Sequence, residues 1–376
     1  MSELNQDQTF QDQAFQDQAF QDQYWIQRAI DLARLGQYST KPNPNVGCVI
    51  VKNGQLIGEG YHPKAGQPHA EVFALAQAGE HAKDATAYVT LEPCAHYGRT
   101  PPCAEALVKA QVKKVVVACS DPNPLVAGKG VKILQDAGIE VETGICTEVA
   151  KTLNLGFLKA MSTGLPYVRL KIASSLDGRT AMASGESKWI TGTAARQDVQ
   201  HWRAISGAVI TGIQTVLADD CELNVRALAG VDLTTVVQPK RIVLDRQGQL
   251  PLTAKILQNP ETVMVMTPFR QELADLGVIQ LAPQPLNQLL QTLSQQHQIY
   301  DVLVEAGATL STAFLQQGLV DEMISYVAPT LLGQSARSMF NAKLSEMAEQ
   351  LRFELVDVTQ LGQDIRLRLL PTQEMI

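Results

Sequence analysis

Residues 87–119, AYVTLEPCAHYGRTPPCAEALVKAQVKKVVVAC, read as a strand, a helix and a second strand. Ala87–Thr90 and Lys114–Cys119 are short apolar runs bounded by polar residues, and Pro102 to about Ala110 is helical between them. The same alternation extends on both sides. Upstream, Val46–Val51 and Leu56–Tyr61 flank Asn53-Gly54, a strong hairpin turn, and a helix follows from His69 to about Ala78. Downstream come a helix near Val131–Ala137 and a strand at Ile139–Thr143. Strands alternating with helices over about 120 residues predict an α/β domain, a sheet with helices on both faces.

Ahead of this unit, Trp25, Ile26, Ala29, Ile30 and Ala33 share one helical face that ends at Gly36. Residues 6–25 repeat a Gln-Asp-Gln-x-aromatic unit four times. A period of five fits neither a helical face nor a strand, so residues 1–23 are expected to be a low-complexity tail without chemistry. The alternation lapses over 151–165, and Gly164-Leu165-Pro166 marks a boundary between domains at 24–164 and 165–376. A second α/β series starts with the strand Tyr167–Ile172. It continues through a helix at Ala194–Ile205 and strands at Ala208–Thr211, Arg241–Leu244, Thr262–Met266 and Val302–Val304. A helix after Gly307 and strands at Met323–Val327 and Ile365–Leu369 close it.

Two domains suit 376 residues, since one core serves roughly 100–200. No apolar run reaches the roughly 18–20 residues that span a bilayer. The start of the chain has neither the basic, apolar pattern of a secretory signal nor that of a transit peptide, so a cytoplasmic protein without membrane partners is expected. A formal charge of −7 disfavours a nucleic-acid partner, yet two or three local Arg or Lys residues suffice for one phosphate. Six cysteines are too few for a disulfide scaffold and read as buried thiols or metal ligands.

Three pieces of the first domain suit one metal ion. His69-Ala70-Glu71 opens a helix, Pro93-Cys94 follows a strand, and Cys103 lies on the first turn of the next helix. One imidazole and two thiolates are good tetrahedral zinc ligands, and a fourth position left to water makes the site catalytic rather than structural. The positive end of a helix favours the thiolate of Cys103. Glu71, two residues from His69, is placed to carry protons without being a ligand. Base deaminases use this arrangement with the signature H-x-E…P-C-x-x-C, but here eight residues separate the cysteines. Each piece alone is weak: His69 could cap a helix, and Cys94 and Cys103 could be buried thiols. Cys48, Cys119, Cys146 and Cys221 read as packing residues, and His62 and His81 as isolated core or surface histidines.

The segment from Cys94 through Cys103, preceded by Thr90-Leu91-Glu92-Pro93, resembles the bifunctional riboflavin-biosynthesis deaminase/reductase family, as does Pro42-Asn43-Pro44-Asn45-Val46-Gly47. The resemblance covers about residues 24–370. It implies a cytidine-deaminase-like three-layer α/β/α domain, then a dihydrofolate-reductase-like α/β domain. It also implies one zinc ion in the deaminase domain, NADPH, a small phosphorylated pyrimidine as substrate, and a homo-oligomer. By it, Asn43 and the His96–Thr100 loop wall the pyrimidine pocket.

In the second domain, Ala173-Ser174-Ser175-Leu176-Asp177-Gly178-Arg179 and Ser184-Gly185-Glu186-Ser187 are loops of the kind that bind ligands at strand ends. Glu305-Ala306-Gly307 opens a helix whose N–H groups suit a pyrophosphate, but no G-x-G-x-x-G is present, so an ordinary strand–helix turn remains open on the residues alone. Lys171–Arg179, Thr215–Asp220 and Val304–Gly307 resemble the family's reductase half. That resemblance assigns the cofactor to Ala173, Trp189, Thr215, Asp219 and Gly307-Ala308-Thr309-Leu310-Ser311-Thr312-Ala313. It assigns the substrate to Ser187, Arg203, Leu223, Arg226 and Glu305, with the two arginines suited to its phosphate. Without the family, each arginine reads as a solvated surface charge. Lys171 and Asp177 are the first candidates for a proton donor. Arg246 ends a strand where the resemblance leads us to expect a small hydroxyl residue. It either pairs with the 2′-phosphate of NADPH or faces solvent.

Two other classes share parts of this pattern. A nucleic-acid-editing deaminase with an accessory C-terminal domain would use the same zinc chemistry, but the charge and the lack of basic and aromatic clusters oppose it. A metal-stabilised assembly module would require a fourth protein ligand, and none is evident.

Overall fold

Along the first strands, Cys48 and Ile50 turn to one layer of helices while Val49 and Val51 turn to another, as the two-residue period of a strand requires. The structure is a computed structural model that describes residues 3–97, 101–124 and 126–372, with side chains from residue 18 onward. The chain divides into two compact units, Met1–Thr163 and Gly164–Ile376.

In the first unit, α1 (Glu3–Arg34) leads into the hairpin β1 (Gly47–Lys52) and β2 (Gln55–Tyr61). Then follow α2 (Ala70–Ala78), β3 (Thr86–Val89), α3 (Cys103–Lys109), β4 (Lys114–Val117), α4 (Lys129–Asp136) and β5 (Glu140–Thr143). Two helices end the unit, α5 (Thr147–Lys151) and α6 (Leu155–Thr163). Among the described residues the sheet order is β2-β1-β3-β4-β5, antiparallel up to β3 and parallel beyond it. Ala70, Ala74, Ala104, Leu107 and Leu134 bring α2, α3 and α4 onto one face; Ile26, Ala29, Ile30 and Ala150 bring α1 and α5 onto the other. This is the expected three-layer α/β/α arrangement.

Glycine lets α2 lie close on the hairpin. A Cβ at Gly58 would stand 2.2 Å from the Ala74 carbonyl oxygen, and one at Gly60 would stand 2.5 Å from the Phe73 Cβ. The start of α2, and with it His69, is thereby fixed relative to the sheet.

Two expectations are corrected. The segment 151–165, where the pattern lapses, is occupied largely by α6, whose small apolar face carries too few repeats to stand out. The repeat, expected as a tail, is continuous with α1. It contains no Pro or Gly, and Gln and Ala are good helix formers, so an odd side-chain period does not prevent a helical backbone. Its last copy even belongs to the core. Asp22, 1% exposed, accepts hydrogen bonds from the Tyr88 hydroxyl (2.6 Å) and the Lys114 ammonium (3.3 Å). Burial, together with that carboxylate, pushes the Tyr88 hydroxyl far above the usual phenol range.

In the second unit the strands are β6 (Tyr167–Ser175), β7 (Arg179–Ala181), β8 (Ala208–Gly212), β9 (Lys240–Leu244), β10 (Val263–Met266) and β11 (Ile279–Leu281). They continue with β12 (Asp301–Glu305), β13 (Glu322–Ala328), β14 (Arg337–Ser338), β15 (Phe353–Leu361) and β16 (Asp364–Pro371). Its helices are α7 (Thr193–Ile205), α8 (Ile213–Asp219), α9 (Gln271–Asp275), α10 (Leu286–His297) and α11 (Ala308–Gln316). The described residues form a nine-stranded sheet ordered β11-β10-β9-β8-β12-β6-β13-β16-β15, in which only the β13–β16 and β16–β15 pairings are antiparallel. Helices α10 and α11 cover one face and α7, α8 and α9 the other. It is the α/β architecture expected of the second domain, extended by α8, α9, α10, β7, β11, β14 and β15, which the sequence pattern did not single out.

Replacing Asp22 with Ala strands the Tyr88 hydroxyl and removes one carboxylate from Lys114, which keeps Glu142 at 2.6 Å. It should lower the stability of the first unit by about 1–3 kcal/mol. Urea denaturation checks this, with the exposed Gln23→Ala as the control expected within about 0.5 kcal/mol of the parent.

Candidate active sites

His69 precedes the first residue of α2 in an extended conformation, so its ring leaves the helix toward the loop that follows β3. Cys94 lies on that loop and Cys103 is the first residue of α3. Their ligand atoms lie within 4.8 Å of one another, the one such group among the described residues. The His69 Nδ1 is 3.6 Å from the Cys94 Sγ and 3.3 Å from the Cys103 Sγ. The Cys103 N–H also donates to the Cys94 Sγ at 3.2 Å. Hydrogen bonds from Cys103 and His69, working against burial, hold the Cys94 thiol far below the usual range, at about 4. The hydrogen bond with Cys94 raises Cys103, together with burial, and the same partner's hydrogen bond raises His69. A soft, anionic, nitrogen-and-sulfur donor set of this size fits zinc.

Glu71, on the first turn of α2, is 3% exposed, and burial raises its carboxyl above the ordinary range. A carboxyl so placed exchanges protons more readily near neutral pH than a solvated one does. Among the expected pocket residues, Asn43 donates its amide N–H₂ to the Nε2 of His62 (3.1 Å), whose Nδ1 meets the Pro68 carbonyl (3.1 Å). His62 is therefore not isolated: it is buried, and its ring stands edge-on to that of His69 with centroids 5.2 Å apart. Nothing in the local sequence signals this contact across the fold. In the His96–Thr100 loop, residues 98–100 lie outside the described residues.

In the second unit Arg203 is buried, not solvated. Its guanidinium grips Glu305 through two bonds (2.6 and 3.0 Å) and donates to the Asn224 carbonyl (3.2 Å), while Lys171 lies 3.5 Å from the same carboxylate. Burial alone would raise Glu305, but the charges of Arg203 and Lys171 prevail and hold it at about 2. Arg203 is thus committed within the protein, and Arg226, which is exposed, is the freer of the two arginines for a phosphate. Ser187 donates to Asp219 at 3.3 Å, which joins an expected substrate residue to an expected cofactor residue. Leu223 is buried with a left-handed backbone, φ 55°. Thr215 lies on the first turns of α8, Ala173 on β6, and Trp189 is 68% exposed beneath the Arg196 guanidinium.

Gly307 caps α11, and a Cβ there would meet no atom within 4 Å. No packing demand explains the glycine, and the approach to the N–H groups of Ala308, Thr309 and Leu310 is open. The hydroxyls of Ser311 and Thr312 are already engaged, with the Ala306 carbonyl and the Asn341 N–H, and Ala313 is partly buried. Asp177 proves a poor proton donor. It accepts from the Ser175 hydroxyl and the N–H groups of Leu332 and Gly333, which hold it at about 2, so it carries no proton at neutral pH.

Two family models match the chain: the cytidine and deoxycytidylate deaminase zinc-binding region at residues 20–119, and the RibD C-terminal domain at residues 166–367. The second spans more than half of the chain. The chain belongs to the RibD family of riboflavin-biosynthesis proteins. It is 50% identical to the riboflavin biosynthesis protein RibD of Haemophilus influenzae, over 92% of this chain and 96% of that protein. The Escherichia coli K12 protein of the same name is 49% identical, over 92% and 98%. Acinetobacter baumannii RibD, form 1, superposes with a TM-score of 0.93 at 81% identity, covering 94% of this chain and all of that one. A Thermotoga maritima diaminohydroxyphosphoribosylaminopyrimidine deaminase/5-amino-6-(5-phosphoribosylamino)uracil reductase superposes with a TM-score of 0.84 at 33% identity, over 94% and 100%.

The chain is accordingly a two-part enzyme of riboflavin biosynthesis, with a zinc-binding deaminase domain and a nicotinamide-dependent reductase domain. The reading as a nucleic-acid-editing deaminase with an accessory domain is set aside, because the second unit is the family's reductase. Among the described residues no helix is long and apolar enough to cross a membrane.

The Glu305 shift predicts an acid limit for the second unit. A carboxylate held at about 2 when folded, against roughly 4.3 when unfolded, contributes stability that is complete above pH 4.3 and disappears as pH falls toward 2. Thermal melts from pH 5 to 2 should show this loss. Glu305→Gln, which leaves Arg203 half-paired, should flatten the dependence and lower stability throughout.

Proposed function

We propose that residues 24–164 deaminate 2,5-diamino-6-ribosylamino-4(3H)-pyrimidinone 5′-phosphate, and that residues 165–376 reduce the ribosyl group of the product, 5-amino-6-(5-phosphoribosylamino)uracil, to ribityl with NADPH. The observation that carries the first half is a buried, non-ligand carboxyl, Glu71, beside a set of one nitrogen and two sulfurs that fits zinc. His69, Cys94 and Cys103 would hold a single ion, which as a Lewis acid makes water a competent nucleophile near neutral pH. Glu71 accepts the proton of the attacking water at its carboxylate and returns it to the departing amino group, which leaves as ammonia. Its raised affinity for protons suits both halves of that transfer. Asn43, with its amide nitrogen committed to His62, offers its carbonyl oxygen to a hydrogen-bond donor of the substrate.

For the reductase half, the open N-terminus of α11 at Gly307 supports a pyrophosphate subsite. Thr211 and Thr267, at the carboxyl ends of β8 and β10, are buried with hydroxyls that have no hydrogen-bond partner among the described residues. Arg246 follows β9, which runs between these two strands, and is exposed. Carboxyl ends of parallel strands are where open sheets bind nucleotides, and an arginine there suits the 2′-phosphate of NADPH. The domain's task is alignment of the nicotinamide with the sugar carbon, with Ala173, Trp189, Thr215 and Asp219 toward the cofactor and Ser187, Leu223 and Arg226 toward the substrate. Lys171, beside Glu305, is the remaining candidate for a proton donor.

The protein acts in the cytoplasm as a homo-oligomer in this reading. β15 is a sheet edge whose Leu355 and Val358 are 54% and 56% exposed, a surface that pairing with a second copy would cover.

Glu71→Gln should lower the rate of ammonia release by about 10²–10⁴-fold while NADPH oxidation on pre-deaminated substrate is unchanged. Loss of both activities in a folded variant would contradict independent sites. Arg246→Ala should reduce the preference for NADPH over NADH at least about tenfold, since one charge-assisted contact is removed. An unchanged ratio would place Arg246 in solvent.

A further inference from the structure

We propose that Glu92 is a positioning residue for the metal ligand Cys94, acting as the built-in anion of the loop that opens α4. The inference rests on the zinc-deaminase reading of the first unit. Glu92 is 4% exposed, and among the described residues its carboxylate accepts hydrogen bonds from backbone N–H groups. One carboxylate oxygen accepts from the N–H groups of Asp121 (3.4 Å) and Gly128 (3.1 Å), the other from Gly130 (3.1 Å) and Val131 (3.3 Å). Four N–H donors converging on one carboxylate are a strong, directional restraint, and the negative charge sits at the positive end of a helix that has no acid in its own first turn.

The restraint reaches Cys94 through the intervening proline. A Cβ at Gly130 would stand 2.0 Å from the Pro93 carbonyl oxygen, so the first turn of α4 rests directly on the peptide between Pro93 and Cys94. On the other side, the Cys94 carbonyl accepts from the Ala104 N–H of α3 (3.3 Å), and its sulfur accepts from the Cys103 N–H. The Cys94 residue is therefore held between two helix starts. The α3 side carries a second metal ligand, Cys103, and the α4 side is fixed by Glu92. His69 comes from a third helix, so the spacing of the ligands depends on both grips. The Glu92 N–H, bonded to the Cys119 carbonyl (3.0 Å), ties the same point to the strand end of β4.

Glu92→Gln preserves volume but turns an N–H₂ group toward backbone N–H groups, so one grip is lost. Glu92→Asp keeps both acceptor oxygens on a shorter arm. In the full chain, zinc affinity is measured by chelator competition, and cobalt(II) replaces zinc to report ligand geometry by visible absorption. Glu92→Gln should bind zinc about 10–100-fold more weakly, as changes to outer partners of metal ligands do. Its cobalt d–d bands should be altered, and kcat for ammonia release lowered with KM kept. Glu92→Asp should recover most of the cobalt spectrum, and NADPH oxidation should be unaffected in both variants. A Glu92→Gln chain with parental zinc affinity and cobalt spectrum would overturn the proposal. So would one whose first unit is unfolded with zinc present, which would make Glu92 a folding residue. A parent chain that binds no zinc would instead remove the deaminase reading itself.

Discussion

In the proposed zinc site three ligand atoms from separate segments have to meet around one ion, and the layout of the first unit meets that requirement. The start of α2, the loop after β3 and the start of α3 all open at one end of the sheet, and each is fixed by a different contact. Gly58 and Gly60 let α2 lie against the hairpin, Glu92 and Gly130 join the Cys94 loop to α4, and the Cys103 N–H ties the two sulfurs together. The Cys103 and His69 side chains, with the Cys103 N–H, keep Cys94 ionised, whereas Cys103, expected as the thiolate at its helix start, is pushed up by its hydrogen bond with Cys94 and by burial. Placing Glu71 on the first turn of α2 then puts a buried carboxyl beside the metal site without making it a ligand.

The second unit solves a different problem. A parallel sheet leaves its strand ends facing one side, and the open approach at Gly307, the unpartnered hydroxyls of Thr211 and Thr267 and the exposed Arg246 all occur at such ends. Its charged centre is internal: the buried Glu305 carboxylate pairs with the buried Arg203 guanidinium and with the half-buried Lys171 ammonium. Removing one member of such a group leaves a buried charge unpaired, which costs far more than the net worth of the pair.

Much of this was legible in the residues. The apolar runs of β1, β3, β4, β6, β8, β9, β10 and β12 are short and bounded by turn residues, so their period was clear. His69, Cys94 and Cys103 stood at predicted helix starts and a loop, which is where the structure has them. What could not be read depended on contacts across the fold. Asp22 looks like one more copy of a polar repeat until Tyr88 and Lys114, far along the chain, are brought to it. His62 looked isolated because its partners, Asn43 and the Pro68 carbonyl, are a side chain and a backbone group with no shared pattern. Arg203 read as a surface charge because Glu305, its partner, lies 102 residues away. The same holds for Asp177, whose binding of two backbone N–H groups excludes the proton-donor role its position suggested.

Zinc K-edge X-ray absorption on the purified, metal-loaded chain reads the central claim directly. The account predicts one ion with two sulfur neighbours at about 2.3 Å and two lighter neighbours, imidazole nitrogen and solvent oxygen, at about 2.0 Å. A shell of four sulfurs, or one without sulfur, would contradict it.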